Sequence, residues 1–308
     1  MPFVEAQGAR IPLIGLDTWE LRGRICARIV EQALRLGYRH IDTAQMYQNE
    51  REVGEGLRAS DVPRDQMFVT TKIWPSHFAP PAFERAAKER LVQLRLAEVD
   101  LLLLHWPSKE VPLSETIGAL CKAKRDGITR HIGVSNFTAP LLDQAVKLST
   151  EPLACNQFEV HPLIDQSKLI AATRRHGMAV VAYSPIARGQ ARDHPVLERI
   201  GRARSAKVGT GFASERAPNL KLARFGAANR YPLRLKRAAH GKTAAQVSLR
   251  YLVQQQIAII PRTSKVERLA ENLAIFDFEL SPEEMAEIAD LANREGRIVD
   301  WSGAPEWD

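Results

Sequence analysis

Cysteine is scarce in this 308-residue chain: Cys26, Cys121 and Cys155 are odd in number and lie far apart. That spacing excludes a disulfide framework and a cysteine-based metal cluster, and it suits a reducing cytoplasm. A long apolar run is missing as well. No segment of 18 or more consecutive apolar residues occurs, so no helical membrane span is expected. The first fifteen residues lack a basic stretch followed by a long apolar one, so no secretory signal is expected. Acidic residues are almost absent from one segment only. Residues 201–240 hold ten lysines and arginines against one acid, Glu215, while the rest of the chain has 33 basic and 35 acidic side chains. The formal net charge of +7 therefore belongs to that segment, which argues against a nucleic-acid-binding fold. What the chain has in quantity is apolar residues, 45% against 26% charged, ordinary for a soluble globular protein with a large core.

The apolar residues fall into short runs rich in β-branched types. They predict strands at Leu13–Asp17, Tyr38–Asp42, Met67–Lys72, Val99–His105, Thr129–Ser135, Leu153–Gln157, Met178–Ser184 and Gln256–Pro261. The run "DLLLLHWP" is apolar at nearly every position, as in a parallel strand covered on both faces. The first seven strands start roughly 25–30 residues apart, the length of a strand, a helix and two short loops. The segments between them read as helices. Asn49 with Glu52, and Ser281 with Pro282, read as N-terminal caps. Gly37 and Gly127 stand where a helix must stop before the next strand. Eight such units predict an α/β protein with a (β/α)8 barrel, a short N-terminal plug and a single domain over residues 1–308. A doubly wound parallel sheet is the other arrangement compatible with the pattern. One interval breaks the rhythm. More than seventy residues separate the starts of the seventh and eighth strands, and the basic segment lies among them. Residues 204–236, with "GTGF", "APN" and "RYP", read as an insertion.

In a barrel of this kind, functional groups come from the C-terminal ends of strands and the loops that follow. Six consecutive predicted strands end in polar residues: Asp42, with Tyr47 in the next loop, then Lys72, His105, Ser135 and Asn136, Asn156 and Gln157, and Tyr183 and Ser184. Any one of them alone reads as an ordinary solvated or hydrogen-bonded residue; six in succession converge on one mouth. The residue types suggest proton delivery to a carbonyl. A phenol with an ordinary pKa of about 10 is a poor acid at neutral pH, and an adjacent ammonium favours its phenolate. Lys72 is the expected ammonium, Asp42 its partner, and His105 a donor that orients a carbonyl oxygen.

At this point the segments "YRHIDTAQMYQNEREVGEGL", "TTKIW", "LLLHWP", "HIGVSNF", "NQFEVHP", "AYSPIARG" and "IPRTSKVERLAENLAIFDFEL" resemble the aldo-keto reductase superfamily. The resemblance runs from about Ile11 to the C-terminus, the insertion excepted. It is strongest to bacterial reductases of the 2,5-diketo-D-gluconate B type, also seen as methylglyoxal and aldehyde reductases. It implies a catalytic tetrad of Asp42, Tyr47, Lys72 and His105, with Tyr47 as general acid. It implies a nicotinamide dinucleotide held without a Rossmann fold. Thr18, Ser135, Asn136, Gln157, Tyr183 and Ser184 would then face the cofactor's nicotinamide and pyrophosphate. Arg262, Thr263, Arg268, Glu271 and Asn272 would hold its adenosine end. The two guanidinium groups suit a 2′-phosphate, so NADPH is expected over NADH. Trp19, Trp74, Trp106 and Trp301, with Trp307, are the expected substrate walls, and no metal is expected.

Two departures from the family pattern stand out. Where the family commonly has Gly-Leu-Gly-Thr, this chain has "GLDT", with Asp17 at the second glycine. The second departure is the insertion. The expected activity is NADPH-dependent reduction of aldehydes or ketones by a cytoplasmic monomer, on small carbonyls or 2,5-diketo-D-gluconate. A cofactor-binding sensor barrel with little turnover, and polyanion binding through the insertion, are the alternatives.

Overall fold

The computed structural model describes residues 1–202, 240–300 and 303–307; the predicted insertion and Trp301 lie outside them. The chain opens with an antiparallel hairpin, β1 (Phe3–Ala6) and β2 (Ala9–Pro12). Its two-residue turn, Gln7–Gly8, has both φ angles positive (50° and 82°), the turn whose twist matches that of paired strands. Eight parallel strands follow. They are β3 (Leu16–Asp17), β4 (His40–Asp42), β5 (Phe68–Ile73), β6 (Val99–Leu104), β7 (Thr129–Ser135), β8 (Leu153–Glu159), β9 (Ala179–Tyr183) and β10 (Ala258–Ile259). Each pairs with its sequence neighbours. Bridges Ile14–Ile259 and Asp17–Arg262 join the two outer strands. A strand order without reversal and with its ends joined is the (β/α)8 barrel, not the doubly wound sheet.

The predicted strands are all present, but the first and last are shorter than expected. Their hydrogen bonding is irregular where the ring closes: Gly15 N donates to Ile259 O and Ile259 N to Leu13 O. β8 runs two residues further than predicted, to Glu159. Helices α1 (Gly23–Leu36), α2 (Glu50–Ala59), α3 (Pro80–Leu94), α4 (Leu113–Arg125), α5 (Ala139–Leu148) and α6 (Ser167–Arg175) connect β3 to β9 in turn. After β9 come α7 (Pro195–Arg202) and α8 (Ala244–Gln254); after β10 come α9 (Val266–Leu273) and α10 (Pro282–Ala289). Gly37 ends α1 with φ 110° and donates back to Ala33 and Leu34 carbonyls, the predicted stop. Ser281, the expected cap of α10, forms a capping box with Glu284. Asn49 precedes α2 but does not cap it by its side chain. Its amide instead donates to the Thr18 and Leu21 carbonyls and its oxygen accepts from Thr43, tying the β3 and β4 loops together.

Strand periodicity divides the core in two. Leu102, Leu104, Ile132, Val134, Val180 and Ala182 pack outward on helix residues such as Leu120, Leu142 and Leu249. Leu101, Leu103, Ala179, Val181 and Ala258 point into the barrel and meet Ala9 and Ile11 of the hairpin, which plugs it. This is why the leucine run is apolar throughout: alternate leucines serve different cores. The inward set then changes character along each strand. Phe68 leads to Thr70 and Lys72, Leu103 to His105, Cys155 to Gln157 and Glu159, and Val181 to Tyr183. One end of the barrel is filled by hydrocarbon and the other lined by polar groups. Among the described residues no helix is long and apolar enough to cross a membrane.

Candidate active site

The four residues of the expected tetrad meet at the C-terminal mouth. Lys72, at the end of β5, is wholly buried. Its ammonium has three hydrogens and three acceptors: the Asp42 carboxylate, Thr43 O at 3.0 Å and the Tyr47 hydroxyl at 3.3 Å. Asp42 takes a second bond, from Gln157 Nε2 at 2.8 Å. Tyr47 sits at the end of a single 3-10 turn, Gln45–Tyr47, and its backbone carbonyl is held by the Arg22 guanidinium. Because Lys72 donates to the phenol oxygen, the phenol's own hydrogen must point elsewhere; no described residue accepts it, and Tyr47 lines the cavity. The His105 ring stands edge-on to Tyr47, with centroids 5.7 Å apart, and to Trp74 at 5.2 Å. Its Nδ1 is buried without a partner.

A second hydrogen-bonded group flanks the first. Ser135 Oγ donates to Gln157 O at 2.8 Å. Asn136 Nδ2 donates to His105 O at 2.9 Å, and Tyr183 donates to Asn136 Oδ1 at 2.8 Å. Asn136 and Ser184 hold φ angles of 62° and 50°, in the left-handed region where side chains other than glycine are uncommon. These loops carry strained backbone directly at the mouth. The chain at Thr18 is less open than expected. Its backbone N–H and its hydroxyl both donate to Asp42 O at 3.0 Å, and it is fully buried behind the cavity wall.

The electrostatics differ from the sequence expectation in one respect. The ammonium beside Tyr47 was the reason to expect an acidic phenol, yet the phenol is held well above its ordinary value of 10.0. Burial is the first cause, followed by the Asp17 and Asp42 carboxylates. The physical reason is that Lys72 and Asp42 form a buried ion pair, whose combined charge is near zero. Tyr47 is therefore a fully protonated phenol at neutral pH. His105 is pushed well below 6.5 by burial and then by Lys72, so its ring is neutral. Asp17 is raised to about 7 by burial and by Asp42, against the opposing pull of Lys72, the Trp19 N–H and Arg262.

These groups open into a cavity of about 260 Å³. Tyr47, His105, Asn136, Gln157, Tyr183 and Ser184 form its polar floor, and the predicted Trp19, Trp74 and Trp106 form aromatic walls. Four further residues complete the wall: Met46 and Arg188, which lie inside two of the quoted motifs, and Val299 and Asp300, which lie in none. Arg188 lies over the Trp19 ring at 4.9 Å. Val299 and Asp300 come from the C-terminal segment, which Glu159 fastens to the barrel. The Glu159 carboxylate accepts from Ile298 N, Val299 N and His161 Nε2, each at 2.9 Å. Continuing the alternation from Cys155 and Gln157 would have found it. Next to the fastening point Arg297 lies 3.5 Å over the Trp307 ring, and Trp307 meets Trp106 edge-on at 6.0 Å.

The residues expected at the adenosine end lie on the β10–α9 connection and on α9. Arg262 bridges Asp17 in register, donates to Trp19 O at 2.9 Å and pairs with Glu20 at 3.4 Å. Thr263 is buried and caps the turn by accepting from Lys265 N. Arg268 pairs with Glu271 at 2.7 Å, and Glu271 also accepts from Thr243. Asn272 turns back to the hydroxyl of Tyr38. The Arg262 and Arg268 side chains stay partly exposed, 38% and 40%. An anionic dinucleotide fits this chain on two counts. A polar floor with the buried, unpartnered His105 Nδ1 lies at one end, and partly exposed arginine side chains follow at the other. Among the described residues no cluster of side chains suits a metal ion.

Known proteins are similar to this chain in sequence and in fold. Residues 15–293 match the model of the Aldo/keto reductase family. Over 302 residues the chain is 36% identical to the methylglyoxal reductase DkgB of Escherichia coli O157:H7, covering 97% of this chain and 99% of that protein. It is also 36% identical to an aldo-keto reductase of Mycobacterium sp. (strain MCS), covering 92% and 88%. A crystal structure described as a candidate 2,5-diketo-D-gluconic acid reductase B superposes with a TM-score of 0.86 at 43% identity, covering 100% of this chain and 98% of the other. With a family match across most of its length and relatives aligned nearly end to end, the chain belongs to the aldo/keto reductase family and is an oxidoreductase.

Proposed function

We propose that this protein reduces aldehydes and ketones to alcohols with NADPH, Tyr47 supplying the proton. One observation carries the reading: on the cavity wall Lys72 donates to the Tyr47 oxygen at 3.3 Å, and no described residue accepts from that hydroxyl. A reduced nicotinamide dinucleotide, when bound, supplies the hydride. Tyr47 then protonates the oxygen of the reduced carbonyl. The neutral His105 ring beside it orients that oxygen by donating a hydrogen bond, and Trp74 fixes the ring edge-on. Lys72 acts when charge develops. Its hydrogen bond to a neutral phenol is long at 3.3 Å, and it strengthens as Tyr47 becomes phenolate. Asp42 and Thr43 O keep the ammonium in place, and Gln157 in turn keeps Asp42 in place.

Asn136, Gln157, Tyr183 and Ser184 are the residues suited to the nicotinamide end, with Thr18 and Ser135 supporting them from behind. Arg262 and Arg268 suit a 2′-phosphate, which favours NADPH over NADH. Thr263, Glu271 and Asn272 surround them. Small aldehydes and dicarbonyls such as methylglyoxal, and 2,5-diketo-D-gluconate, are the substrate candidates, on the names of the relatives. NADPH oxidation across these substrates, repeated with NADH, tests the reading. Tyr47→Phe is expected to bind NADPH normally and to lose nearly all turnover; near-normal turnover in that variant sinks the assignment.

A further inference from the structure

A carboxyl that this mechanism does not use opens into the same cavity. Asp17 ends β3, where it pairs in register with Asp42 on one side and bridges Arg262 on the other. It is 8% exposed and shares the cavity wall with Tyr47 and His105. Its Oδ1 accepts the Trp19 N–H at 3.0 Å, and no described residue donates to Oδ2. The charged and titratable groups facing it come from several elements: Asp42 on β4, Lys72 on β5, Tyr47 and His105 on their loops, and Arg262 after β10. Tyr183, Arg188 and Asp300 line the same cavity, and Glu20 pairs with Arg262. Neither nearby cation is available to it. Lys72 is taken by Asp42, and Arg262 by Glu20 and the Trp19 carbonyl. Asp17 is thus a buried carboxyl without an ion-pair partner among the described residues.

We propose that Asp17 is a positioning residue of the reaction: set beside Tyr47 and Asp42 with no cation of its own, it decides by its charge how readily Tyr47 releases its proton. The inference rests on the reading of Tyr47 as the acid. After burial, the Asp17 carboxylate is the strongest influence holding the Tyr47 proton. Once ionised, it opposes the phenolate that Tyr47 becomes. While protonated, it exerts no such effect and can donate into the cavity. Burial and Asp42 raise it to about 7, so the change falls at neutral pH. The reduction rate is expected to fall as pH rises through that value, on the order of tenfold, as for a unit charge acting on its neighbour in a protein site.

The experiment is the pH profile of kcat from 5.5 to 8.5 at saturating NADPH and methylglyoxal, for the unaltered protein, Asp17→Asn and Tyr47→Phe. Asparagine keeps the shape and the acceptor for Trp19 N–H but cannot ionise. Its kcat is expected to stay near the acid plateau where the unaltered protein declines. The same decline in Asp17→Asn overturns the proposal, as does an effect confined to the KM for NADPH. Normal turnover in Tyr47→Phe would overturn the underlying reading instead, so the two failures are distinguishable. Should Asp17→Asn not fold, carboxyl carbon NMR of the unaltered protein, with and without NADPH, decides. A titration of Asp17 near 7 supports the role, and one below 5 in both states refutes it.

Discussion

Replacing Glu159 by glutamine should free the C-terminal segment while leaving the barrel intact. The Glu159 side chain is fully buried, and its two oxygens accept from two successive backbone N–H groups and from His161. Glutamine has one acceptor oxygen, and its NH2 group must face a backbone N–H or the imidazole. At least one hydrogen bond to a charged acceptor is lost, about 1.5–3 kcal/mol, and one N–H is left buried and unpaired, about 1–3 kcal/mol. The segment beyond Arg297 can lift without the barrel unfolding, so the loss appears as local opening rather than as global destabilisation. A conservative ~2 kcal/mol makes opening about 30-fold more frequent, since ~1.4 kcal/mol is a factor of ten. Hydrogen exchange at the Ile298 and Val299 amides should speed up by that factor, while exchange in β6 stays unchanged. Val299 and Asp300 line the cavity, so the KM for carbonyl substrates should rise with little change in NADPH affinity. Unchanged protection at residues 298 and 299 in a folded variant would show that Glu159 does not fasten this segment.

Two further perturbations test the polar layer. Lys72→Met leaves Asp42 wholly buried with only Gln157 as a donor, so unfolding in urea should report a loss of about 3–5 kcal/mol. Adding Asp42→Asn should restore most of that stability but none of the turnover; full loss persisting in the double variant would deny the pairing its structural role. His40 is fully buried, bonds Thr70 at 3.0 Å and is lowered to about 4 by burial. Its folded value lies below the unfolded one of about 6.5, so protons bind the unfolded chain first and its contribution to stability is lost as pH falls from 6.5 towards 4. At pH 5 that loss is about 2 kcal/mol relative to pH 7. Urea midpoints of His40→Gln should lack this part of the acid sensitivity, and an equal slope in both proteins would count against the mechanism.

The fold is legible in the sequence where periodicity is strong. The leucine run at 101–104 and the valines and alanines at 179–182 announce strands buried on both faces, and helical spacing between them does the rest. Legibility fails where the ring closes. β3 and β10 are two residues each because a single bridge on either side replaces a ladder, and no local pattern encodes a contact between residue 14 and residue 259. The site follows the same division. Asp42, Lys72, His105, Gln157 and Tyr183 follow from reading which strand ends are polar. Val299 and Asp300 reach the cavity from a segment whose course depends on a tertiary contact, the Glu159 anchor. The β8 strand ends two residues beyond its polar pair, so Glu159 was hidden behind Gln157.

Charge is the property that sequence adjacency conveys least well. A lysine aimed at a tyrosine suggests an acidic phenol, yet here burial and two carboxylates outweigh it. The consequence for mechanism is favourable. An acidic phenol would be partly ionised at neutral pH and unable to give a proton, whereas Tyr47 keeps its proton until a stronger base appears beside it. In the proposed reaction, the alkoxide formed on hydride arrival is such a base. At that moment the hydrogen bond from Lys72 changes from one to a neutral phenol into one between opposite charges, and it strengthens. The ammonium therefore acts on the transition state and little on the resting enzyme, which is the difference that accelerates a reaction. A lysine that merely lowered the resting pKa would not do this.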